Sequence, residues 1–573
     1  MSPKRIMMAG ALVIAVMVIY IPSLHCGFIW DDDYYVTDNR VLQAPGGFEE
    51  IWTAPGVTPQ YYPMVFTSFW AEYKLFGLNA FIFHLNNVLL HAANAVLLWL
   101  LLLRLGIPWP WFAAALFALH PVQAESVTWI SERKNVLSLF FGLASMLIYC
   151  RFLMARSGDK KATYKKWGLY GAALLLFTAA LLSKSVTTTI PVVILMIVWW
   201  KRGRLAWRDI FLMLPFLGFG LIAAFHTAAM EAGFVGAQGK EWDLSVIDRF
   251  LIAGRAVWFY ISKLIFPKTL VFIYPRWQIN AGVWWQYLYP SALIGVLAGL
   301  WAARRRIGRG VFTGFACFVI LLSPALGFVN FFPMKYAFVA DHFQYHATPV
   351  MITLFAAGTG TIAMRQSIWP RKALIIFLSI ILLAGLGIRT WQEQDKYENR
   401  EALWLDTIAK NPTCAMALNN LGALLGSTDR TDKDAYRYFQ KAVENSSCDF
   451  MAYYNLGMFH MAANEPEKAV IYLKKALECQ PGALRALQQL GKAYLDLAEP
   501  EAAIPFLLKI TASKPSNPHG HFMLGRAFYL KKDYASAYKA FSNVLMLKPD
   551  YPGAAAYLAA SRQKMHRVFQ EVE

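Results

Sequence analysis

Apolar residues in this chain gather into long runs separated by short polar stretches. The runs fall near residues 6–25, 80–103, 109–124, 135–153, 167–182, 186–200, 210–227, 248–266, 286–303, 310–331, 346–364 and 373–389. Many approach the ~20 apolar residues that a helix needs to cross a bilayer, so they predict a bundle of membrane helices. Several are shorter. The two runs that flank Ser183-Lys184-Ser185 read as short helices meeting near one surface.

Charge sets the expected orientation. Basic clusters occur at residues 4–5, 104, 151–166, 201–208, 304–309 and 365–372. Short cytoplasmic loops carry the excess of Lys and Arg. If all twelve runs crossed, the last two clusters would fall outside. Leaving run 248–266 out of the count restores agreement. That run carries Asp248, Arg249, Arg255 and Lys263, and charges in a lipid-facing span are costly, so it is expected to be re-entrant or interfacial. Eleven spans remain, with the N-terminus cytoplasmic and the C-terminus outside. Asp159 and Asp209 are then the only acids of residues 1–389 on the cytoplasmic side.

Beyond residue 389 the pattern changes. A Leu-Gly pair recurs at Leu421-Gly422, Leu456-Gly457, Leu490-Gly491 and Leu524-Gly525, at spacings of 35, 34 and 34. Ala469, Ala503 and Ala537 lie twelve residues after a glycine, and Pro481, Pro515 and Pro549 close the last three units. This is the 34-residue tetratricopeptide (TPR) pattern, in which small residues let paired helices approach and proline ends each second helix. A partial unit at 401–412 precedes it, and 553–573 reads as a capping helix. The expected fold is therefore all-α: a polytopic membrane helix bundle over 1–389, then a TPR α-solenoid over 390–573 with about four repeats. Such a stack offers a concave groove for a protein or peptide, or holds an oligomer together; His519 and His521 read as groove or surface residues.

Composition agrees. The chain is 57% hydrophobic, above the ~45–50% usual for soluble domains. Of its +19 net charge, +17 lies in residues 1–389 and +2 in the remainder. The excess sits in short loops between apolar runs, which excludes nucleic acid as the partner it serves. Six cysteines are scattered without a CxxC, against a zinc or redox site. Lys4-Arg5 before an apolar stretch resembles a signal peptide, but no convincing small-residue cleavage site follows, so an uncleaved first span is expected.

The outer loops carry the chemistry. The first opens Phe28-Ile29-Trp30-Asp31-Asp32-Asp33-Tyr34-Tyr35. Aromatic neighbours draw these acids into the interface, where partial burial raises a carboxylate into the range of a general base. The second contains His120-Pro121-Val122, Glu125-Ser126, Trp129 and Glu132-Arg133-Lys134 on the same face. Arg133-Lys134 is a cationic pair suited to a phosphate, or an interfacial anchor. His84 and His91 share one helix face and read as buried structural residues. In a later loop, Asp341-His342-Phe343-Gln344-Tyr345-His346, Asp341 either closes the site or caps the following helix.

Taken together, Phe28-Ile29-Trp30-Asp31-Asp32, Tyr61-Tyr62-Pro63, Phe76-Gly77-Leu78-Asn79, His84-Leu85-Asn86-Asn87 with His91, His120-Pro121-Val122 with Glu125-Ser126, Ser131-Glu132-Arg133-Lys134 and the TPRs resemble the transmembrane-and-TPR O-mannosyltransferases and their bacterial relatives, within the GT-C glycosyltransferases. The resemblance implies an inverting enzyme in a membrane such as the bacterial inner membrane. It would move a sugar, typically mannose, from a polyprenyl-phosphate donor to Ser or Thr of a protein acceptor held by a periplasmic TPR domain. Asp31 and Asp32 correspond to the family's acidic pair, one of them the base. Arg133, Lys134 and His342 would meet the donor phosphate, with Asp33, His120, Glu125, Asp341 and Tyr345 as further active-site candidates. No cofactor is implied; a divalent ion at Asp31 and Asp33 is the less favoured option. Relatives usually carry Arg at position 342 and Leu-Pro at 346–347, where this chain has His342 and His346-Ala347. A saccharide ligase or polymerase of the same fold, and a non-catalytic TPR scaffold for envelope assembly, are the rival readings. The odd span count is directly testable: a reporter active only in the cytoplasm, fused after Glu573, is expected to stay silent, and a signal would require an even number of spans.

Overall fold

The computed structural model describes residues 2–155, 160–235, 242–446 and 448–572. Asp159, expected on the cytoplasmic side, lies outside them, as does Glu573 at the end of the capping helix. Among the described residues the secondary structure is helical, with no strand. The chain divides into two compact units, Met1–Asp406 and Thr407–Glu573.

In the first unit the helix Ala80–Arg104 packs against Pro3–Ile19, Pro110–Leu119 and Arg133–Met154. Their shared core holds Val16, Ala92, Leu98, Phe117 and Leu139. Among the described residues, four helices are long and apolar enough to cross a membrane: Ala80–Arg104, Ile130–Met154, Trp207–Gly233 and Trp369–Tyr397. Expected runs 109–124 and 186–200 correspond to helices of 10 and 13 residues, Pro110–Leu119 and Ile190–Arg202, too short to cross straight at about 1.5 Å per residue.

The helix Val246–Ile265 covers the run left out of the span count. It starts at a capping box, Ser245 accepting from the Asp248 amide at 3.1 Å while Asp248 accepts from the Ser245 amide at 3.1 Å. Arg249 bonds the carbonyls of Gly327 and Trp242, and Arg255 lies over the Trp277 ring at 4.3 Å. Gly254 lets this helix meet the one that follows: a Cβ there would stand 2.6 Å from the Pro290 nitrogen.

The segment after residue 389 stays with the first unit. The Thr390 hydroxyl donates to the Leu119 carbonyl at 2.7 Å, and Gln394 bridges the Ile19 carbonyl and the Ser23 amide. These contacts carry the first unit to Asp406.

The second unit is four antiparallel helix pairs and a last helix, Ala554–Val572. Gly422, Gly457, Gly491 and Gly525 each face the partner helix, where an added Cβ would come within 2.6–2.8 Å of Phe439, Leu473, Leu507 or Phe541. Ala469, Ala503 and Ala537 are fully buried between the pairs. Three second helices end at Cys479, Ser513 and Leu547, two residues before Pro481, Pro515 and Pro549, because proline disfavours helical geometry in the residue ahead of it.

Cysteine spacing gave no sign of a disulfide, yet Cys448 and Cys479 are bonded across 31 residues, joining the entry of one repeat to the end of its second helix. Removing both, as Cys448→Ser with Cys479→Ser, is expected to cost the repeat unit about 2–4 kcal/mol. Thermal unfolding checks this: reductant should lower the wild-type midpoint and leave the double variant unmoved.

Candidate active site

The loop after the first helix is bent at Trp30, whose φ of +44° is unusual for an aromatic residue. Its ring meets Trp404 edge-on at 4.9 Å. The three acids that follow are held differently. Asp32 is fully buried and accepts the Ile29 amide at 2.9 Å and the Ser131 amide at 2.8 Å. Burial pushes its carboxyl up to about 7 against these two hydrogen bonds. Asp33 turns outward to Arg400 and the Thr37 hydroxyl. Asp31 is partly buried, and among the described residues its carboxylate accepts no hydrogen bond. Burial raises it to about 6, with Lys134 opposing and Glu132 assisting. The two acids of the expected pair are thus distinguished: Asp32 is held, and Asp31 is free.

Glu132 is the hub of the second loop. It accepts Lys134 at 2.8 Å and Lys184 at 3.4 Å, and His342 Nε2 stands 3.8 Å away. Lys184 also donates to Asn135 at 2.8 Å, and burial lowers its ammonium to about 8 against the pull of Glu132. Glu125 accepts both the His342 amide at 3.2 Å and Nδ1 at 3.0 Å. That contact turns the Nε2 edge toward Glu132.

Glu132, Lys134, Asn135, Lys184 and His342 line a cavity of about 250 Å³ with Gln60, Tyr62 and Glu231. A second cavity of about 570 Å³ is lined almost wholly by apolar side chains, among them Leu98, Leu139, Ile190 and Leu354. His346 lines both cavities. Asp31 does not line the smaller one, but it lies close enough to Lys134, Glu132 and His342 for their charges to act on it.

Of the expected candidates only Lys134 and His342 line the smaller cavity, and four of the others are taken up elsewhere. Arg133, paired with Lys134 in the sequence reading, faces the other way, because consecutive helical residues point about 100° apart. Its guanidinium is 1% exposed and is taken up by Glu72, Asn87, Ser68 and the Phe83 carbonyl, over the Phe69 ring. It holds helices together and has no donor left for a phosphate. His120 is bonded to the Leu264 carbonyl at 3.0 Å. Tyr345 is fully buried, its hydroxyl bonded to His91 at 2.8 Å and Asn94 at 3.2 Å. Asp341 accepts the Tyr274 hydroxyl at 3.0 Å, and burial, then Glu125, push its carboxyl upward.

The sequence reading passed over Lys184 as a chemical group. Its signal was there: a lone cation between two short apolar runs. Arg133→Ala is expected to cost about 3–5 kcal/mol of stability, since it leaves Glu72 buried and unpaired. Lys184→Ala, at the cavity, should leave the folded fraction intact. Unfolding of each variant in detergent distinguishes the two roles.

Comparison with known proteins adds descent to this geometry. Tetratricopeptide-repeat family models match residues 452–482 and 489–555. A protein O-mannosyl-transferase of Caenorhabditis elegans is 22% identical over 467 residues, 76% of this chain and 62% of that protein. One from Drosophila melanogaster is 23% identical over 542 residues, 80% of this chain and 57% of that protein. One from Homo sapiens is 32% identical over 142 residues, 23% of this chain and 16% of that protein. The chain therefore spans less than two thirds of the length of these relatives. A crystal structure of MamA is 23% identical and covers 26% of this chain and 84% of that one, with a TM-score of 0.25, too low to argue from. The two longest of these alignments exceed the share of the chain that either unit alone occupies. By sequence the chain is similar to protein O-mannosyl-transferases, and its last third carries tetratricopeptide repeats.

Proposed function

We propose that this chain is an integral-membrane glycosyltransferase that moves a sugar, mannose in the relatives' case, from a polyprenyl phosphate to a Ser or Thr hydroxyl of a protein. The observation that carries the proposal is the pair of cavities meeting at His346. A polyprenyl phosphate is an apolar chain ending in an anion. The apolar cavity suits the chain, and the cavity with Lys134, Lys184 and His342 suits the phosphate.

The reaction is an inverting displacement. Asp31 takes the proton of the acceptor hydroxyl, whose oxygen attacks the anomeric carbon. The bond from that carbon to the phosphate oxygen breaks, and the lipid phosphate leaves with both electrons. Lys134, Lys184 and His342 meet its charge, held in place beforehand by Glu132 and Glu125. Asp32 acts on the loop.

Eleven spans would put the repeat unit outside the cytoplasm, where its groove captures the acceptor and raises its local concentration. The Cys448–Cys479 disulfide supports that side, since such bonds persist in oxidising compartments.

Radiolabel transfer from polyprenyl-phosphate sugars to envelope proteins tests the reading. Asp31→Asn is expected to lower the rate by about 10²–10⁴-fold. Because the base must be ionised, wild-type turnover should rise with pH through about 6 and fall below it. Transfer to a saccharide alone would favour a ligase, and no transfer from any lipid-phosphate or lipid-diphosphate sugar would favour a scaffold.

A further inference from the structure

Glu231 has no part in the chemistry described so far. It stands near the C-terminal end of the apolar helix Trp207–Gly233 and is buried. Among the described residues it forms no ion pair. One oxygen accepts the Gln60 amide at 2.7 Å, and the other accepts the Phe332 backbone amide at 3.1 Å. A carboxylate beside a membrane and without a cation is costly. A neutral glutamine could tie these two segments together at lower cost, so packing leaves the charge unexplained.

The cavity gives it a purpose. Glu231 lines the same space as Lys134, Lys184 and His342, together with Gln60 and Tyr62. A carboxylate has about four acceptor positions, and two are in use here, so others remain for donors in the cavity. An anion would be repelled from Glu231 and drawn to the cations. The group that Glu231 receives is therefore uncharged and rich in hydroxyls. In a lipid-phosphate sugar, the ring attached to the phosphate has that character. We propose that Glu231, oriented by Gln60, accepts hydrogen bonds from hydroxyls of the transferred sugar and sets which sugar is taken; the proposal rests on the lipid-phosphate-sugar reading of the cavity.

The test is binding, measured on the full-length protein in nanodiscs with three probes: mannosyl polyprenyl phosphate, its glucosyl epimer and bare polyprenyl phosphate. The wild type is expected to hold a sugar-bearing lipid more tightly than the bare one and to separate the epimers. Glu231→Gln, nearly identical in shape, should lose about ten- to hundredfold in affinity for the sugar-bearing lipid, the worth of a hydrogen bond to a charged group. It should keep its affinity for the bare lipid and bind the two epimers alike. Gln60→Ala should shift the same ratios less. An unchanged ratio in Glu231→Gln, or a wild type that ignores the sugar, overturns the proposal. So does loss of bare-lipid binding in both variants, which would make Glu231 a structural tie. Transfer is read separately: a wild type that transfers while Glu231→Gln keeps its ratio sinks the sugar subsite alone. A wild type that prefers the sugar-bearing lipid yet never transfers sinks the transferase alone.

Discussion

A buried carboxylate has to be met by donors, and Asp32 is met by two backbone amides, that of Ile29 beside it and that of Ser131, 99 residues further along the chain. This contact fastens the loop after the first helix to the segment that leads into the helix Arg133–Met154. Much of the site follows from it. The neighbouring Asp31 is brought within electrostatic reach of Lys134 and Glu132 without being tied to either. The backbone reaches this arrangement through a left-handed Trp30, whose ring is held by Trp404. The strain is local, and the packing around it fixes the conformation.

A second constraint sorts the cations. One step along a helix separates Arg133, sealed against Glu72, from Lys134, turned to the cavity. The arginine's planar fork suits a crowded site with several fixed acceptors, while a lysine is a point charge on a flexible stem. Glu132 keeps Lys134 and Lys184 together although the two would repel, and Glu125 does the same service for the orientation of His342. A cavity built this way carries its positive charge before any ligand arrives, so little reorganisation is needed on binding.

Much of this was legible in the sequence. Leu-Gly pairs at a 34-residue period fix the repeats because only a small residue fits opposite Phe439, Leu473, Leu507 and Phe541. Three acids after an apolar run, and a polar cluster on the same face, mark the site for the cost of placing them there. What stayed hidden depends on angles and on distant partners. Spacing cannot tell that Asp32 finds the Ser131 amide, that Arg133 finds Glu72, or that Lys184 joins Glu132 from another run. Nor could composition see that residues just beyond 389, polar enough to read as the start of the repeats, are bonded to the first unit.

The disulfide has a consequence for how the repeat unit comes apart. Each repeat in a solenoid touches only its neighbours, so stability passes along the stack as along a chain of links. The Cys448–Cys479 bond closes within one repeat, the second of the four, and the two repeats beyond it have no such closure. Loosening should therefore run inward from the last helix and stop at the stapled repeat. The part of the groove nearest the start of the stack would stay formed while the far end opens and closes, giving an incoming chain a firm edge to meet first and a yielding one to settle into.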